Sequence, residues 1–263
     1  MSSLDTFIQQ VFNGLVLGSL YALIALGYTM VYGIINLINF AHGDVLMVGA
    51  LTALSAIEGA HLIWPALPGP VLLLIGMAAA IVVCIVLSLV IERVAYRPLR
   101  KAPRLAPLIT AIGVSILLQT VAMLIWGRNH LSYPQLLPAE PIAVGAAVVT
   151  RTKILVVVLS ALIMVALLVL VQRTRLGRAM RATAENARVA SLMGVNPNAV
   201  IAATFAIGAA LAAVAGVMTA AVYSVAHFYM GFIPGLKAFT AAVLGGIGNI
   251  PGAMVGGLLL GLI

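Results

Sequence analysis

Residues 71–91 run for 21 positions without one charged side chain, and 105–126, 154–171 and 199–222 repeat the pattern. A helix rises ~1.5 Å per residue, so such a run covers ~30 Å, the depth of a bilayer's hydrocarbon core. The chain is 63% hydrophobic and 8% charged, with fourteen Lys and Arg against six Asp and Glu, too few charges to clothe a soluble globule of 263 residues. Closed β-barrels would show short alternating segments instead of these long runs. The fold class is therefore all-α and polytopic, a compact bundle of transmembrane helices. Spans are expected at about 7–32, 44–63, 71–91, 105–126, 153–171 and 199–222, followed by shorter Gly-rich segments at 236–248 and 251–263. The first run lacks a basic leader and a small-residue cleavage site, which marks a retained span. Residues 251–263 stop inside an apolar run, so 1–263 reads as one transmembrane domain cut within or just before a further helix.

Charge gathers in two places. Arg93, Arg97, Arg100, Lys101 and Arg104 form one cluster, and the five arginines from Arg173 to Arg188 form the other. Two spans separate them, so they share a side, and the positive-inside rule assigns that side to the cytoplasm. The turn-rich stretch 127–152, with Pro134, Pro138 and Pro141, is then the outer loop, and the N-terminus lies outside. Within the second cluster Arg178, Arg181, Glu185 and Arg188 recur at helical spacing on one face, with Leu176, Met180, Thr183, Ala187 and Ala190 on another. Gly194 supplies a left-handed stop, and Asn196-Pro197 an N-cap and first-turn proline for the next helix. Two uses stay open for this short amphipathic helix: fixing topology, or docking a partner at the membrane surface.

The helices break twice without a charge cluster to mark water. Asn36-Leu-Ile-Asn-Phe-Ala-His-Gly-Asp44 joins the first two spans, and Leu244-Gly-Gly-Ile-Gly-Asn-Ile-Pro-Gly-Ala253 interrupts the last apolar stretch. Irregular backbone is not tolerated against lipid, so such breaks are buried in protein or line a polar cavity. Paired interruptions point to a transport pathway, for which Asn36, Asn39, His42, Asp44 and Asn249 are the candidate residues; ordinary tight turns are the competing reading. Asp44, at the membrane edge, also stands where an N-cap would. Gly14 and Gly18, with the triplet Gly248, Gly252 and Gly256, have the spacing that lets helix backbones approach closely.

Several functions are excluded. No Walker loop occurs, no nucleophile–base pairing or catalytic carboxylate pair is present, and His42, His61, His130 and His227 show no ligand spacing. The chain has no catalytic, cofactor or metal residues to offer and is not an enzyme. Cys84 lies alone in an apolar run, and the bases sit at span ends, which is no nucleic-acid footprint. No acid lies inside the first span or the third to sixth, which weighs against a proton relay. A pore without its own energy source, beside an amphipathic cytoplasmic helix, calls for a separate driving subunit.

Asn13-Gly-Leu-Val-Leu-Gly-Ser-Leu-Tyr-Ala-Leu-Ile-Ala-Leu-Gly27 and Ile38-Asn-Phe-Ala-His-Gly43 resemble the opening of branched-chain amino acid ABC transporter permeases. So do Glu92-Arg-Val-Ala-Tyr-Arg-Pro-Leu-Arg100, Leu176-Gly-Arg-Ala-Met-Arg-Ala182, Leu192-Met-Gly-Val-Asn196 and Lys237 through Ala253. The likeness runs from about residue 10 to the end and is closest to the high-affinity leucine/isoleucine/valine branch. It implies an ATP-driven importer in a bacterial inner membrane. Its partners would be a second, related permease subunit, two cytoplasmic ABC ATPases and a periplasmic or surface amino-acid-binding protein. On that likeness 174–195 is the cytoplasmic coupling helix, with Arg178, Arg181, Glu185 and Gly194 in its motif, and at least one more helix follows residue 263. Asp44 stands where the family usually has Glu, and Asn186 where Asp is common. Import of another small solute such as urea or a short amide remains an alternative, as does a self-sufficient secondary carrier or channel.

Overall fold

Helix starts are written into the chain as Asn or Thr ahead of a first turn. Asn196 Oδ1 accepts from the amides of Asn198 and Ala199 (3.1 and 3.3 Å), Asn249 Oδ1 from Gly252 (3.2 Å) and Thr174 Oγ1 from Gly177 (3.0 Å). The computed structural model describes residues 3–100, 102–103, 105–137, 140–144 and 147–263. Among these, six helices are long and apolar enough to cross a bilayer: α1 (Ser3–Ile35), α2 (His42–Ile63), α3 (Gly69–Ile91), α4 (Leu105–Trp126), α5 (Arg151–Arg173) and α7 (Pro197–Tyr223). The surface helix α6 (Arg175–Leu192) lies between α5 and α7, and α8 (Phe232–Leu244) and α9 (Ile250–Leu262) form a hairpin. Lys101, Arg104 and Pro138 lie outside the described residues.

The protein is an all-α polytopic membrane protein, with α1 and α7 at its buried centre and α3, α4 and α5 outside them. Leu74, Ile116 and Leu162 on the outer helices are exposed, as lipid-facing residues are. Glycines set the central spacing. A Cβ on Gly14 would lie 2.7 Å from the Gly261 carbonyl oxygen, and one on Gly18 would lie 2.9 Å from that of Leu258, so α1 and α9 touch backbone to backbone. Gly252 and Gly256 meet α8 instead, at the carbonyls of Gly245 and Ala241, while Gly248 lies in the turn with φ 94° and faces Gly33. The 248/252/256 spacing is therefore not one stripe: Gly248 precedes α9, and within α9 Gly252 and Gly256 face α8 while Gly257 and Gly261 face α1.

The stretch 127–152 is less irregular than its prolines suggest. It holds β1 (Leu131–Ser132), β2 (Pro141–Val144) and β3 (Ala147–Thr150); β1 pairs with β4 (Val225–Ala226), and β2 with β3. The Gln9 side chain bonds both the amide and the carbonyl of Val148 (2.8 and 3.2 Å), which ties the start of α1 to this end of the bundle. At the opposite end α3 runs into a π-helical turn, Glu92–Tyr96. Glu92 pairs there with Arg100, not with its neighbour Arg93, and Arg100 Nη1 donates to Asn198 Oδ1 at 2.6 Å. The described part of the first basic cluster therefore shares the α6 end with the second.

The β1–β4 clasp carries a pH dependence. His130 and His227 lie with ring centroids 4.6 Å apart, and the Tyr229 amide donates to His227 Nδ1 at 3.2 Å, which requires that nitrogen to be unprotonated. Burial, and then the neighbouring His130, hold the His227 pKa below its ordinary 6.5. The unfolded clasp therefore binds more protons than the folded one, and the stabilisation is lost as pH falls from about 6.5 toward the lowered pKa. Hydrogen exchange at the Tyr133 amide, bonded to the Ser224 carbonyl at 3.0 Å, is expected to speed up between pH 7.5 and 5.5 beyond its intrinsic pH dependence. His227→Gln should remove that excess; an equal excess in the variant refutes the assignment.

Candidate functional site

Asn36 ends α1 in left-handed backbone (φ 53°), a conformation asparagine tolerates, and it is exposed at the α6 end. Residues 36–41 then turn back into the bundle, and α2 begins at His42. Its first turn is not at the membrane edge. The His42 ring fills the space a Cβ on Gly27 would need and lies 3.8 Å from one on Gly208, near the middle of α7. Cys84, near the middle of the unit from Gly69 to Tyr96, donates to the Val45 carbonyl at 3.3 Å. The start of α2 thus sits at mid-depth, because α1 overshoots α2 by about two turns.

Each polar side chain of the break has a separate setting. Asn39, 4% exposed, accepts from the Tyr96 hydroxyl at 2.9 Å, and Tyr96 packs on Phe205 with centroids 5.5 Å apart. His42, 3% exposed, is wedged between α1 and α7 and meets Tyr28 edge-on at 4.8 Å. Asp44 is 1% exposed and lies inside the first turn of α2, while Ala41 occupies the cap position without a side-chain bond. Gln119 Nε2, from α4, donates to Asp44 Oδ1 at 2.9 Å and lies 3.2 Å from Ser115 Oγ.

A second non-helical segment descends from β4 to meet this break. A Cβ on Gly43 would lie 2.5 Å from the Gly231 carbonyl oxygen and 3.1 Å from the Gly235 Cα. The first turns of α2 and α8 thus adjoin, and beside them opens a cavity of about 290 Å³ whose wall includes Tyr28, Phe40, Asp44, Ser115, Phe232 and Leu236. Asn249 is not there: it is exposed at the α6 end and caps α9.

α6 covers the α6 end of α1. Gly177, Met180, Thr183 and Ala190 face inward, and Arg178, Arg181, Glu185 and Arg188 are exposed. The helix is kinked at Asn186 (φ −156°, ψ 100°), whose Oδ1 accepts from the Arg188 and Val189 amides at 3.0 Å each. The asparagine thus caps a second helical segment as Asn196 caps α7, so Arg188 and Ala187 leave the register of the first half. Arg181 donates to the Val171 carbonyl, and Gly194 takes φ 83° as expected. Beyond the kink Val189 is exposed, as are Leu192 and Met193, at 81% and 80%. On the inner side Arg181 and Glu185 share a cavity of about 390 Å³ with Gly33 and Gly248, so α6 touches the neighbourhoods of both breaks.

Residues 10–263 match the family described as branched-chain amino acid transport system, permease component. The chain belongs to that family. The high-affinity branched-chain amino acid transport system permease protein BraD of Pseudomonas aeruginosa is 50% identical, over 100% of this chain and 86% of that protein. LivH of Escherichia coli, a permease protein of the same description, is 49% identical over 97% and 84%. A probable branched-chain amino acid transport permease protein of Methanocaldococcus jannaschii is 27% identical over 95% and 78%. No solved structure matches the chain. This permease is a multi-pass inner-membrane subunit of a transport system, not a catalytic enzyme. Tyr28, Tyr96, Ser115 and Gln119 were not singled out by spacing or charge. Gln119 had a signal, as the lone amide in an otherwise apolar span.

Proposed function

We propose that the permease moves leucine, isoleucine and valine into the cytoplasm as the membrane part of an ATP-driven importer, with a second related permease, two cytoplasmic ATPases and an external amino-acid-binding protein. The α6 end is then cytoplasmic, and 174–195 is the coupling segment. The observation that carries this reading is α6 itself. It lies outside the spans and exposes Arg178, Arg181, Glu185 and Arg188 beside Leu192 and Met193, while its inner side packs near Gly33 and Gly248. Exposed cations next to unpartnered apolar side chains suit a protein groove, and a push there would be felt at both breaks. The pathway passes the mid-depth break, where Asn39, His42 and Asp44 lie, with Asn36 and Asn249 at its cytoplasmic end.

One observation favours a second reading, a self-sufficient carrier: Asp44 stands at mid-depth, where intramembrane acids often relay protons. Proteoliposomes holding the copurified complex decide between the two. Labelled leucine uptake is expected to require internal or external ATP on the ATPase side together with the binding protein, and to ignore an imposed proton or sodium gradient. Uptake by the permease alone, following such a gradient, overturns the importer. Urea competing as well as isoleucine would overturn the substrate.

A further inference from the structure

We infer that the cavity between α2, α4 and α8 is a transient binding site for the amino acid itself, in which Asp44 takes the solute's ammonium group and an apolar wall faces its side chain. This rests on the proposed transport of amino acids.

Asp44 is buried without a counter-charge. Among the described residues, ion pairs join Glu92 to Arg100 and Glu140 to Arg151, and the donors to Asp44 are the neutral Gln119 and Ser115. An unpaired carboxylate at membrane depth is costly and is kept where it is used. It borders a cavity of about 290 Å³, at the small end of the ~300–1,000 Å³ typical of drug-sized ligand pockets, which suits a solute of amino-acid size. Gln119 donates to Oδ1 and Ser115 bonds the same carboxyl group, and a carboxylate with about four lone-pair sites can accept further donors.

The remaining walls match the side chain of such a solute. The first turn of α8 offers the cavity no free amide, since Phe232 donates to the Tyr229 carbonyl at 3.3 Å, Gly235 to that of Gly231 at 2.9 Å, and Pro234 has no N–H, so polar recognition falls on Asp44. Gly43 and Gly235 let the two backbones come this close. Ile112, Phe232 and Leu236 supply an apolar side. Asp44 reads the ammonium that every amino acid shares; the apolar wall favours an aliphatic side chain. His42 and Asn39, turned toward other helices, position the break.

The test is site protection in the purified complex, using Ile112→Cys labelled with a small thiol-reactive methanethiosulfonate. Leucine and 3-methylbutylamine, which keeps the ammonium, should slow labelling; 4-methylpentanoate, which lacks it, should not. Asp44→Asn should raise the protecting leucine concentration roughly 30-fold or more, and Asp44→Glu should restore protection. Yield and melting of each variant complex are read alongside; if Asp44→Asn does not assemble, the comparison of the three solutes in the Asp44→Glu background carries the test. Equal protection by 4-methylpentanoate, or unchanged protection in Asp44→Asn, overturns the inference, as does a variant whose sole defect is lost pH dependence of uptake. If uptake stays ATP-driven and leucine-specific while no solute protects, this site fails and the importer stands; if uptake ignores ATP, the importer fails.

Discussion

Gly231→Ala is expected to abolish leucine uptake and to cut the yield of folded permease severely. A Cβ at that position collides with the Gly43 carbonyl and comes within 3.1 Å of the Met47 Cβ, while a Cβ on Gly43 would in turn sit 2.5 Å from the Gly231 oxygen. The two carbonyls are backbone where α2 and α8 begin, and the Met47 Cβ is fixed to α2, so no side chain can rotate away. Overpacking of a close contact costs typically ~1–3 kcal/mol when side chains can adjust, and more when the helices themselves must part. Separation here would also open the mid-depth break. Gly59→Ala in α2 is the control: nothing lies within 4 Å of its Cβ position, and alanine is favoured over glycine in a helix by roughly 0.5–1 kcal/mol. Melting temperature and detergent-extracted yield should fall for the first variant and hold or rise for the second. Similar values for both would mean that the α2–α8 contact does not hold the bundle together.

That contact also marks where sequence reasoning stops. Local signals place helix ends well: α4 coincides with the apolar run 105–126, and Asn196-Pro197 and Gly194 act as cap, first-turn proline and left-handed stop. These features depend on residues within a turn of each other. Depth does not. Asn36–Asp44 announces a break, but its place at mid-membrane follows from α1 running on to Ile35, from Gly27 yielding room to His42, and from Cys84 meeting Val45. Each of those is a long-range packing choice with no local trace. Hence Asp44, which reads as an edge residue and N-cap, is a buried first-turn carboxylate held by Gln119. α8 likewise starts at Phe232 instead of 236, since Pro234 needs no amide partner in a first turn. Asn186 shows the opposite error: helical spacing carries Arg188 onto one face with Arg178, and one N-cap inside the helical stretch removes it.

Glu185→Arg is expected to leave the permease inserted and folded while reducing both ATPase stimulation and uptake at least about tenfold. Glu185 is exposed, one residue before the Asn186 kink, and lines the cavity that joins α6 to Gly33 and Gly248. Arg181 is bonded to the Val171 carbonyl, and no ion pair joins it to Glu185 among the described residues, so the substitution breaks no salt bridge inside the permease. Its effect on folding is therefore confined to like-charge crowding with Arg181, four residues earlier, worth a few tenths of a kcal/mol. Its effect on a docked partner is larger. A lone acid among Arg178, Arg181 and Arg188 fixes the orientation in which a groove of mixed charge can accept the helix, and reversing it places a repulsive charge at the contact. Losing one well-buried interface contact of this kind costs ~2 kcal/mol or more, enough for the drop expected. Leu192→Glu, which alters the exposed apolar end of α6, should act in the same direction by a separate route. The measurement is ATP hydrolysis and leucine uptake in proteoliposomes, with copurification of the ATPases read beside both. Wild-type coupling in both variants would leave α6 as a charged loop that fixes topology, and the driving subunit would have to dock elsewhere.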